Sequence, residues 1–371
     1  MDAVDLFSSG VNTKTEDSRQ ISSVLPCMTP QTKSDQSSPL FYVVNFTDDN
    51  GYVIVGASVS SPEIIVYSDS GYYNGIHSEN DGLNIYMDEI SNQSLSSTRE
   101  FIDIPTPSYL ETTTNTSTET NNPLVQVSWH QQEPFNWYCS SPFNNNVPAG
   151  CVAIAIAQIM SVYSHPSSIT LSYPGATSSS ISLDWDEMKL DQHTCYHSSS
   201  CQYCIQNASL VREIGQRVGM TYSVGGSGAQ SSNSPSTLSS FGYHTSSYTN
   251  YSISSVMSSL NAEHPVYIRA ENTSSGHAWV TDGSKYICTT KKTHEVTGTS
   301  RTLVATEYVK QWYLHFNYGW NGTDNGYYLA LQKESGQGSI ISGGSYDDTI
   351  VSIFSGPFNK NVKIITDIYP Q

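Results

Sequence analysis

A chain of 371 residues with 37% hydrophobic and 11% aromatic side chains can build two or three cored units, which excludes global disorder. Only 16 lysines and arginines stand against 33 acidic residues, a net charge of -17. No basic cluster is therefore available to displace counterions from phosphates, and neither nucleic acid nor an anionic membrane is an expected partner.

Residues 1–38 are rich in Ser, Thr and Asp and read as a leader or loosely packed arm. The start, Met1 to Asp5, has neither the basic nor the apolar region of a signal peptide. From Phe41 the pattern changes. The runs Phe41 to Phe46 and Tyr52 to Ala57 flank a Gly-containing turn and predict a β-hairpin. A third strand is expected over 63–68 and a helical pattern around Leu83, Ile85, Met87 and Ile90, so residues 39–104 read as a small α+β unit. Residues 105–123, with Pro-Thr-Pro and a run of Thr, Asn, Ser and Glu, have the composition of an exposed, cleavable linker.

The second unit, 124–358, opens with Trp129, Phe135, Trp137 and Tyr138, then a Pro-Ala-Gly turn at 148–150. Cys151 to Tyr163 runs without Gly or Pro and is rich in Ala, which predicts a buried helix. Helical signal recurs over 209–218 and 254–260, and strand-like runs follow to Phe354. Helix first and sheet later predicts a two-lobed α+β domain. Residues 359–371 read as a C-terminal tail. No apolar run approaches the ~20 residues of a membrane span, and no internal repeat is visible.

Four segments carry chemistry. Cys151 follows Gly150 at the first turn of the expected helix, where unpaired N–H groups and the helix dipole favour a thiolate; a small buried core residue is the plainer alternative. His277, in Gly276-His277-Ala278-Trp279-Val280, supplies the imidazole that a thiol nucleophile needs to form the thiolate and to protonate a leaving amine. Asn317, in Asn317-Tyr318-Gly319-Trp320, is the natural acceptor for the other imidazole N–H. Gln131 can stabilise an oxyanion together with the Cys151 N–H, with Gln132 the competing choice. Seven cysteines, an odd number, leave at least one unpaired or joined to another chain.

In this order the motifs resemble the streptopain family of bacterial papain-like peptidases. The matching stretches are Trp129-x-Gln131-x-x-Pro134-Phe135-Asn136, Pro148 to Ala153 with Ala157 to Met160, Gly276 to Val280, and Asn317 to Trp320 with Asn325 to Tyr328. The resemblance implies a papain-like two-lobed catalytic domain preceded by a small inhibitory prodomain, 39–104. It implies a secreted cysteine endopeptidase, inhibited by its own prodomain and matured by cleavage in the linker, acting on protein or peptide substrates without metal or organic cofactor. Catalytic roles fall on Cys151, His277, Asn317 and Gln131; Gly228, Ala229 and Ala278 belong to the substrate cleft, with Tyr318 and Trp320 as aromatic support. Tyr318 stands where the family has Trp. That departure keeps a second reading open, a catalytically weakened binding or adhesion protein on the same fold. A further cluster, His193, Cys195, His197, Cys201 and Cys204, is compatible with a structural zinc, a Cys201–Cys204 disulfide or other disulfides.

Overall fold

The structure, a computed structural model, describes residues 19–27, 39–57, 64–75, 78–94, 109–141, 144–145, 147–176, 178–190, 201–271, 275–297, 299–338, 344–352 and 362–371. Its frame is one sheet of twelve strands. These are β1 (Ile21–Cys27), β2 (Phe41–Phe46), β3 (Tyr52–Gly56), β4 (Ile64–Ser68), β5 (Tyr109–Asn121), β6 (Thr249–Asn250), β7 (Val266–Glu271), β8 (Gly276–Thr297), β9 (Ser300–Asn317), β10 (Gly326–Gly338), β11 (Gly344–Ser352) and β12 (Lys363–Ile365). The order is β1-β2-β3-β4-β10-β9-β8-β7-β12-β6, with β11 beside β10 and β5 beside β8.

The N-terminal unit is the antiparallel meander β1 to β4 with helix α1 (Asp81–Ser94). The hairpin expected from 41–57 forms, with Phe41 opposite Gly56 and Asn45 opposite Tyr52. Leu83, Tyr86 and Ile90 of α1 are buried, at the three- and four-residue spacing that turns one helix face to a core. The meander does not end at its own edge. Strand β4 pairs with β10 through Ser68 and Gly326, Tyr67 and Tyr327, and Val66 and Tyr328, so the sheet runs unbroken from one unit into the other.

The C-terminal unit has two lobes. Helices α2 (Cys151–Tyr163) and α3 (Gln202–Val218) pack with Trp129, Phe135, Trp185 and Leu238 in one core. The sheet contributes the other lobe, whose core is shared with the N-terminal unit through Tyr86, Phe316, Tyr318 and Tyr328. In β8 the side chains alternate between the two cores: Ala278 and Val280 join the helical core, and Trp279 joins the sheet core, as the two-residue period of a strand requires. α2 is buried from Val152 to Ser161, which fits a helix that is apolar around most of its circumference.

Three expectations are corrected. Residues 21–27, read as part of a loose arm, form edge strand β1, with Cys27 opposite Phe41; the Ser-rich composition hid a strand whose outer face is exposed, and an edge position tolerates Pro26. Residues 109–121, read as linker, form β5, paired with β8 from Tyr109–Val296 to Asn121–Ser284. Thr is β-branched and fits a pleated surface, and Thr116 and Thr289 meet across the strands at 3.4 Å. The tail is not peripheral: β12 sits between β7 and β6, and Ile364, Ile365 and Ile368 are buried.

Candidate active site

The N-terminus of α2 opens on a cleft of about 590 Å3 between the two lobes, lined by Gln131, Gln132, Cys151, Gly228, His277 and Trp320 among others. Gly150 makes the entry to the helix possible. Its φ is 93°, a region side chains avoid, and a Cβ there would come within 2.6 Å of Met220 Cε and 2.7 Å of its sulfur. Cys151 is thereby held at the helix tip, half-buried and a free thiol.

His277 enters from β8, 2% exposed, and shares a side-chain hydrogen bond with Cys151. Burial pushes the Cys151 thiol up, but the hydrogen bond and charge of His277, with backbone hydrogen bonds at Ala278 and Val152, outweigh it and bring the thiol below its ordinary value. For His277, burial works to remove the proton, and Cys151, the Tyr318 carbonyl and the Asp81 charge reverse this, so the imidazole stays protonated above its ordinary range. Both directions favour a thiolate–imidazolium pair.

The second ring nitrogen of His277, Nε2, donates to the backbone carbonyl of Tyr318 at 2.9 Å. This corrects the expectation for Asn317, which is next door but turned elsewhere. Its amide donates to the Val127 carbonyl at 3.1 Å, and its Oδ1 accepts from the Gly319 N–H at 3.2 Å. Asn317 thus shapes the turn whose next carbonyl holds the imidazole. The Tyr318 ring, 1% exposed, lies 6.2 Å from the imidazole, and the Trp320 ring 6.4 Å.

Gln131 and Gln132 both line the cleft. The Gln131 carbonyl accepts from Ala149 N–H at 2.9 Å, which ties its segment to the turn before Cys151. Gly228 lines the cleft, whereas Ala229 packs against the helical core. Sequence reasoning missed Val224, exposed at the cleft rim, and Asp81. Asp81 begins α1, so the N-terminal unit reaches the site itself. A Cβ on Gly82 would sit 2.5 Å from the Tyr318 ring and 3.0 Å from His277 Cδ2, which means the first turn of α1 lies directly on the imidazole and its aromatic cover.

Of the second cluster, His193, Cys195 and His197 lie outside the described residues. Cys201 is disulfide-bonded, and its sulfur lies 2.8 Å from that of the buried Cys204, whose thiol is pushed up to about 11 by burial. No group of metal-binding side chains occurs among the described residues, and no described helix is long and apolar enough to cross a membrane.

The family model described as Peptidase C10 matches residues 129–328, and one described as Spi protease inhibitor matches residues 3–94. The chain is 23% identical over 90% of its length to the thiol protease/hemagglutinin PrtT of Porphyromonas gingivalis, of which it spans 39%. It is 25% identical over 77% of its length to streptopain of Streptococcus pyogenes serotype M28, of which it spans 73%. Among solved structures it is similar in fold to a fragment of Prevotella intermedia prointerpain A, with a TM-score of 0.57 and 19% identity, covering 94% of this chain and all of that one.

Proposed function

The chain belongs to the Peptidase C10 family, and on that premise we propose that it is the self-inhibited precursor of a secreted, papain-like cysteine endopeptidase. The observation that carries this reading is the Cys151–His277 pair at the tip of α2, drawn toward thiolate–imidazolium by its surroundings and covered by the first turn of α1. Cys151 Sγ attacks the peptide carbonyl, and His277 gives its proton to the departing amine. Water then cleaves the thioester, with His277 taking up the water's proton. The Cys151 N–H at the helix tip and the Gln131 amide receive the oxyanion. The Tyr318 carbonyl fixes the ring of His277, and Asn317 fixes that carbonyl.

Residues 19–94 act as the inhibitory prodomain. Because β5 is locked into the sheet of the second unit by its pairing with β8, maturation cuts before Tyr109 and leaves β5 on the mature enzyme. The disulfide at Cys201 and the few charged residues, 13% of the chain, support secretion. Tyr318 covers His277 as a family Trp would, and its full burial supports catalysis over the weakened adhesion protein.

Casein hydrolysis tests the assignment, together with cleavage at an internal bond of peptides blocked at both ends. Wild type is expected to do both after maturation, and Cys151→Ala neither; casein turnover by Cys151→Ala at the wild-type rate would sink the assignment. Cleavage of casein but never of an internal bond in a blocked peptide would reduce it to an exopeptidase.

A further inference from the structure

Asp324 lies in the loop between β9 and β10 and is 2% exposed. Its carboxylate is turned entirely toward the N-terminal unit. Oδ1 accepts from the Tyr52 hydroxyl at 3.1 Å, and Oδ2 from the Asn80 amide at 3.2 Å and the Ser78 hydroxyl at 3.3 Å. Gly71 closes the same space, since a Cβ there would be 3.2 Å from Oδ1. All four residues belong to the unit that maturation removes, so the same carboxylate is uncovered when that unit leaves.

The uncovered acid is close to the chemistry. Asn80, which donates to Asp324, also caps α1, its Oδ1 accepting from the N–H groups of Gly82 and Leu83 at 3.0 and 3.3 Å. Gly82 is the residue that rests on His277 and Tyr318. One residue of the prodomain therefore bridges Asp324 and the space beside His277. That space is the leaving-group half of the cleft, because His277 protonates the departing amine and the residues beyond the scissile bond pass its ring.

We propose that Asp324 is the specificity determinant for the leaving-group side of the substrate, taking a Lys or Arg side chain within the first residues after the scissile bond. The inference rests on the peptidase reading above. In the precursor, three neutral donors satisfy the hydrogen bonds of this carboxylate but not its charge, and burial accordingly raises its pKa despite them. A cation satisfies both and forms a stronger, charge-assisted bond. Asp69 and Asp81 depart with the prodomain, whereas Asp324 stays with the catalytic unit. Prodomain and substrate then compete for one acceptor, and self-inhibition and selection use the same atoms.

The test uses the matured full chain and sets of internally quenched peptides, identical except for Lys, Gln or Glu at the first, second or third position after the scissile bond. Wild type is expected to prefer Lys over Glu by about tenfold or more in kcat/KM at one of these positions, with the preference shrinking as salt is raised. Asp324→Asn should bring the ratio near one, and Asp324→Lys should invert it. A ratio within one preparation cancels any general loss of activity, and the wild-type salt dependence stands even if a variant fails to fold. A wild-type ratio near one at all three positions, or a preference that Asp324→Asn leaves intact, overturns the proposal while the peptidase reading stands. No hydrolysis of any peptide by wild type would instead strike the peptidase reading, and this inference with it.

Discussion

At Cys151 and His277, burial opposes ionisation of both groups, and each is rescued chiefly by the other. The thiol pKa is lowered from an ordinary 9.0 and the imidazole raised from an ordinary 6.5, and both shifts move the pair toward thiolate–imidazolium. Acid returns the proton to the thiol and base removes the one the imidazole must donate, which gives a bell-shaped kcat/KM profile. Replacing His277 by Ala leaves burial in place and removes the hydrogen bond and charge that chiefly oppose it, so the thiol pKa rises. Alkylation of Cys151 by iodoacetamide at neutral pH should then slow by about tenfold or more; an unchanged rate would remove His277 as the activating base. Both residues were legible in the sequence because each sits in a local pattern with a physical reason, a helix start and a strand beside a turn. The acceptor for His277 Nε2 was not, since it is a backbone carbonyl and every residue carries one. Asp282 offers a different prediction: it accepts from His315 Nδ1 at 2.6 Å and from Val125 N–H at 2.8 Å, and it is 1% exposed. Asp282→Ala orphans both donors and should cost about 3 kcal/mol or more of stability, measured by denaturant unfolding of the Cys151→Ala precursor; a loss within error would show that water replaces the carboxylate.

Among the elements, α1 lies on the imidazole, and its fit depends on one missing methyl group. Gly82→Ala would drive a Cβ into the buried Tyr318 ring, and overpacking of this kind costs about 1–3 kcal/mol. The first turn should lift off the imidazole, so the Gly82→Ala precursor should mature about tenfold faster than wild type at equal concentration. Equal rates would mean that α1 does not gate the site. The helix itself was visible as a spacing of apolar residues, but its contact with His277 joins residues nearly two hundred positions apart, a distance no periodicity spans. β5 failed for another reason. Its Thr, Asn and Ser residues have the polarity of a linker, and what makes them a strand is the long β8–β9 hairpin beside them, a tertiary partner that overrides composition.

At the scale of the whole chain, the two units share a sheet. The β4–β10 pairing is short, yet it is reinforced where Ser68 Oγ donates to the Asn325 carbonyl at 2.8 Å, Ser70 Oγ to the Gly322 carbonyl at 2.6 Å and Tyr313 OH to the Ile64 carbonyl at 2.9 Å. Each such bond contributes about 1 kcal/mol, and the apolar core across the seam adds to them. The prodomain is therefore expected to stay bound until its covalent link is cut and a competitor for the cleft arrives. The most direct measurement is the mass of the purified precursor over time in dithiothreitol, for wild type and Cys151→Ala, with and without a thiol-directed epoxide inhibitor. The account predicts a wild-type product that begins before Tyr109 and retains β5, formed only without inhibitor and never by Cys151→Ala. A Cys151→Ala chain that processes itself at the wild-type rate would contradict it.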